Sequence, residues 1–87
     1  MQNERLTLTI LSPEETLFDA EVLKVFLPGG EGSFELLPGH APIISGLAPG
    51  TVCWETAEGK GELRISRGIV RVDEGKITLC AEIRNGY

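Results

Sequence analysis

The chain is 87 residues long, 41% hydrophobic and 24% charged, with a net charge of -5 and a pI near 4.8. That length suits one domain and is too short for two, and the composition is that of a folded globular protein rather than a disordered one. The acidic balance argues against nucleic-acid binding, which needs clustered Lys and Arg to displace counterions from phosphates, and against a polybasic dock on anionic lipid.

No apolar run approaches the roughly 20 residues of a spanning helix, so no direct membrane insertion is expected. Met1-Gln2-Asn3-Glu4-Arg5 has no basic region leading into an apolar stretch, so no secretory signal is expected either. The only cysteines are Cys53 and Cys80, and the expectation is two reduced, buried, small side chains.

Period-2 patterning starts at once. In Arg5-Leu6-Thr7-Leu8-Thr9-Ile10 the apolar residues share one face and the polar ones the other, which predicts a half-buried strand. Ser12-Pro13-Glu14-Glu15 breaks it, because proline cannot donate to a sheet ladder. A second strand is predicted over Ala20 to Leu27 with both faces apolar. Leu23, Val25 and Leu27 form one row, and Val22 and Phe26 form the other with Lys24 between them.

A glycine-rich loop, Pro28-Gly29-Gly30-Glu31-Gly32, leads into a short strand at Ser33 to Leu37, and Pro38-Gly39-His40-Ala41-Pro42 makes a tight corner. Ile43 to Leu47 reads as extended, Pro49-Gly50 turns the chain, and Thr51 to Thr56 alternates with Val52 and Trp54 inward. Glu58-Gly59-Lys60-Gly61 has the composition of a hairpin turn. Leu63 and Ile65 follow at strand spacing, and Gly68 is expected to interrupt. Ile69 to Val72, the turn Asp73-Glu74-Gly75-Lys76 and Ile77 to Ile83 form a last hairpin. About eight to ten short strands with regular turns predict an all-β sandwich of two roughly five-stranded, mostly antiparallel sheets, in one domain over 1–87.

Reactive constellations do not emerge. His40 is the single histidine, and Cys53 and Cys80 lack the paired spacing of a zinc site. Ser45 and Ser66 lie outside any nucleophile-elbow sequence. Gly29-Gly30-Glu31-Gly32 carries a carboxylate where a phosphate loop needs lysine. Glu14, Glu15, Asp73 and Glu74 sit in turns as solvated charge. No catalytic residue, cofactor, metal or ATP binding is expected, and recognition is expected at loops on a rigid scaffold.

The ordered set Pro28-Gly29-Gly30-Glu31-Gly32, Leu37-Pro38-Gly39-His40-Ala41-Pro42, Leu47-Ala48-Pro49-Gly50, Arg67-Gly68-Ile69-Val70-Arg71-Val72 and Ile77-Thr78-Leu79-Cys80-Ala81-Glu82 resembles the epsilon subunit of F-type ATP synthases. The resemblance implies a β-sandwich at the foot of the central stalk, a rotor part between the gamma subunit and the c-ring that couples ion-driven rotation to ATP synthesis. It implies a peripheral location on the cytoplasmic side of a bacterial inner membrane, organelle origin remaining open. Glu31, Gly32, Ser33, Glu35 and His40 are the residues expected to face the c-ring. Ser33 stands where many members have an acidic residue. Val22 and Phe26 are expected to pack on gamma. The chain stops at Asn85-Gly86-Tyr87, without the C-terminal helical hairpin that inhibits hydrolysis or senses ATP in bacterial members, and a naturally short form is expected over a truncated one. The competing reading is a free-standing β-sandwich adaptor or ligand-binding module.

Overall fold

Alternation places Leu6, Leu8 and Ile10 on one side of β1 (Leu6–Leu11), and all three are buried. The computed structural model describes residues 5–84; the first four residues and the ending Asn85-Gly86-Tyr87 lie outside them. The remaining strands are β2 (Thr16–Val22), β3 (Lys24–Gly29), β4 (Gly32–Leu36), β5 (Ile43–Leu47), β6 (Gly50–Thr56), β7 (Gly59–Asp73) and β8 (Lys76–Ile83). No helix occurs among the described residues, so none there could cross a membrane.

The eight strands form one continuous sheet folded into two layers. One layer runs β2-β1-β8-β7-β5, with β1 and β8 parallel and the other neighbours antiparallel. The second layer is β4, β3, β6 and the first half of β7. β7 belongs to both: Gly59 to Ile65 pairs with β6, and Ile65 to Asp73 pairs with β8. The register shifts between Ile65 and Arg67, where Ser66 donates its hydroxyl to the Glu82 carbonyl at 3.2 Å. A bulge of this kind bends a strand without ending it.

The inward rows of both layers make one core, with Leu8, Ile10, Val25, Leu36, Val52, Ile65, Val70 and Leu79 completely enclosed. Among the described residues no polar or charged side chain is buried, as befits a small domain whose core can ill tolerate an unpaired polar group.

Three expectations are corrected. The segment from Ala20 to Leu27 is two strands, not one, because the chain bends at Leu23, whose N–H donates to the Glu55 carbonyl of β6 just ahead of the β3–β6 ladder. The bend resets the alternation: Val22, paired with Leu6, is 3% exposed, and Leu23 is 55% exposed. Gly68 does not interrupt β7, which runs unbroken from Gly59 to Asp73 and shifts its register earlier, between Ile65 and Arg67. The cysteines are free, but Cys53 is only half-buried and Cys80 is exposed.

Candidate functional site: two outer faces and a hairpin tip

Residues directly opposite on neighbouring strands point to the same side, so the register lays out each outer face. On the second layer, Phe26 lies between Glu35 of β4 and Cys53 of β6, and Cys53 is followed by Glu62 of β7. Beside it Lys24 reaches Glu35 at 3.9 Å and Glu55 at 3.8 Å, and Lys60 reaches Glu55 at 3.9 Å. The Lys24 ammonium also sits 5.4 Å from the centre of the Phe26 ring. A cation over a ring face attracts it, so this face is polar and Phe26, 39% exposed, is partly capped by its own chain.

The outer face of the five-stranded layer is different. One row across it reads Gly46 (β5), Ile69 (β7), Cys80 (β8) and Leu11 (β1). Ile44, 73% exposed, stands next to this row, and Ile69 is 57% exposed. Arg67 and Glu82 flank one side, joined at 3.0 Å by a bond that raises the Arg67 pKa above its ordinary value. Arg71 and Thr78 flank the other. Leu11, Ile44, Ile69 and Cys80 share an open cleft of about 1360 Å³ with the β3–β4 hairpin, which rises beside them.

That hairpin presents Glu31 and Ser33. Gly29 and Gly32 are paired at its base, and Gly32 has φ of +128°, a conformation that favours glycine. A Cβ at Gly29 would meet the Gly32 carbonyl and the Phe34 ring. The hairpin is tied to the end of β5: the Ala48 N–H donates to the Pro28 carbonyl at 2.7 Å, and Gly29 pairs with Leu47.

Of the residues expected to face the ring together, Glu31, Gly32 and Ser33 form one exposed tip. Glu35 belongs instead to the Lys24 network on the flank. His40 lies at the far end of β4, where its N–H closes a turn to the Leu37 carbonyl at 3.1 Å and Nδ1 donates to the Ala41 carbonyl at 2.7 Å. Gly32 to Leu36 alone spans about 13 Å at strand rise, so tip and corner do not share one spot. Of the pair expected at the gamma contact, Val22 is core and only Phe26 reaches the surface. The Leu11–Ile69–Cys80 row was missed, although adjacent apolar pairs at Ile43-Ile44, Ile69-Val70 and Leu79-Cys80 mark strands with apolar residues on both faces. Among the described residues no three of His, Cys, Asp and Glu gather as a metal site.

The family model for the β-sandwich domain of the ATP synthase delta/epsilon chain matches residues 5–84. The ATP synthase epsilon chain of Wolinella succinogenes is 40% identical over 80 residues, covering 91% of this chain and 61% of that protein. That of Sulfurovum sp. is 42% identical, with 91% and 62% covered. A chain in the cryo-EM structure of the Euglena gracilis mitochondrial ATP synthase, OSCP/F1/c-ring, superposes with a TM-score of 0.85 at 25% identity, over 93% of this chain and 52% of that one. The chain thus spans about six-tenths of the curated relatives it matches. With a family match from end to end of the described structure, this chain belongs to the ATP synthase delta/epsilon chain β-sandwich family.

Proposed function

We propose that the chain is a non-catalytic central-stalk subunit of an F-type ATP synthase, joining the gamma subunit to the c-ring so that ion-driven rotation is coupled to ATP synthesis. The observation that carries this reading is the family match over residues 5–84. The surfaces agree with it, because an apolar strip and a rigid polar tip are distinct contacts set on one scaffold. Exposed apolar area of this kind marks a contact surface. Gamma covers the outer face of the five-stranded layer around Ile69 and Ile44, and the ring's polar loops meet Glu31, Gly32 and Ser33.

Coupling then rests on stiffness. A push on the hairpin tip passes through the Ala48-to-Pro28 bond and the Gly29–Leu47 pairing into β5, and from β5 through its ladder into β7. β7 is shared by both layers, so the load spreads over the whole sheet without a hinge. The bacterial relatives support a peripheral position on the cytoplasmic side of a bacterial inner membrane.

Co-purification tests the reading. Tagged at its C-terminus in its native host, the chain should bring down alpha, beta and gamma subunits. Recovery alone, or with proteins of no ATP synthase, would replace the rotor reading with a free-standing adaptor.

A further inference from the structure

The β3–β4 hairpin joins the five-stranded layer through a narrow seam. β3 pairs with β6 from Lys24 to Phe26 and meets β5 only at its last residue, Gly29, opposite Leu47. Two further backbone bonds complete the seam. The Ala48 N–H donates to the Pro28 carbonyl at 2.7 Å, and the Gly30 N–H donates to the Gly46 carbonyl at 3.4 Å. Bonds strung along one line between two strands set their spacing and leave the angle between them adjustable. Neighbouring strands differ in twist over roughly 10–35°, so whatever fills the two sides of the seam fixes that angle.

Gly30, Glu31, Gly32 and Ser33 are exposed, and the last side chains of the hairpin able to grip the body are Phe34 and Pro28, both half-buried. Phe34 pairs with Leu27 and packs against the core. Its ring nevertheless leans towards the tip: an added Cβ at Gly29 would lie 2.8 and 2.9 Å from two of its carbons. Pro28 points to the other side of β3, where an added Cβ at Gly50 would lie 2.8 Å from its own Cβ. The seam is clamped from both sides, and each clamp is seated on a glycine. Phe34 also lines the cleft that Ile44 and Ile69 line, so it stands between the tip and the apolar strip.

We propose that Phe34 is a positioning residue: with Pro28 braced against Gly50 on the other side, it fixes the angle of the hairpin to β5. It thereby holds the ring-facing tip at a set place relative to the strip that meets gamma. The role in coupling rests on the rotor reading, in which the seam angle decides whether a sideways force on the tip moves gamma or is absorbed by bending. The clamp itself needs only the chain.

Amide hydrogen exchange of the isolated chain, followed by NMR, tests the clamp. Phe34→Leu should speed exchange at Ala48 by about tenfold or more relative to the amides of β1 and β8, as a local opening does. Phe18 is the matched control, also partly buried against the core but on β2, at the far edge of the five-stranded layer. Phe18→Leu should leave Ala48 in step with β1 and β8. In inverted membrane vesicles carrying the assembled synthase, Phe34→Leu should lower ion pumping per ATP hydrolysed with the subunit still bound, and Phe18→Leu should not. Ala48 exchange that stays in step in Phe34→Leu, or that rises equally in Phe18→Leu, would overturn the clamp. Unchanged pumping with a loosened seam would overturn its role in coupling. Absence of the unmodified chain from the purified synthase would refute the rotor reading and that role with it, and the exchange result would still decide the clamp.

Discussion

Trp54 rests directly over Gly61, its partner across the β6–β7 pair, and packs against Phe18 with ring centres 4.7 Å apart and planes tilted by 42°. An added Cβ at Gly61 would overlap the indole, so the glycine is there for close approach rather than for its turn chemistry. Gly61→Ala should cost about 1–3 kcal/mol, the usual price of overpacking, and a chemical denaturation curve followed by tryptophan fluorescence should show both the loss and an altered native emission. Glu74 is the one non-glycine described residue with positive φ, at 51°, followed by Gly75 at 79°. Two positive values in a two-residue loop make a type I′ turn, where asparagine is favoured before glycine. Glu74→Asn should therefore raise the urea midpoint by up to about 1 kcal/mol of stability without changing the slope. An unchanged midpoint would mean that this turn stores no strain.

At the scale of elements, the bend at Leu23 separates what alternation could and could not disclose. Within β1, β6 and β8 the inward rows were legible because each strand keeps its period from end to end. Between β2 and β3 a single residue leaves the ladder, and every side chain after it changes face relative to a continuous count. Val22 therefore belongs to the core and not, as expected, to the surface, and of the expected pair only Phe26 stays exposed. Val22→Ala should cost about 2 kcal/mol by removing two buried methyl groups. Leu23→Ala should stay within about 0.5 kcal/mol, and thermal melts of the two variants distinguish the accounts, since equal losses would contradict the bend. The tip at Glu31 to Ser33 was legible because glycines and a proline fix it locally. The distance from the tip to His40 was not, because it depends on which end of β4 each loop leaves.

Across the whole molecule, β7 makes the two layers one body, with an apolar face on one side, an ion-paired face on the other and the hairpin standing at one end. This division predicts which surface meets which neighbour in an assembled ATP synthase. In membranes carrying the complex, and with the native cysteines replaced by serine, single cysteines at Ser33, His40, Phe26 and Ile69 can be tested for disulfide formation with cysteines in the ring loops and in gamma. The expected map has Ser33 joined to the ring, Ile69 joined to gamma, and neither His40 nor Phe26 joined to the ring. Ring cross-links from His40 with none from Ser33, or gamma cross-links from Phe26 with none from Ile69, would contradict the placement of the hairpin tip and of the five-stranded face in the stalk.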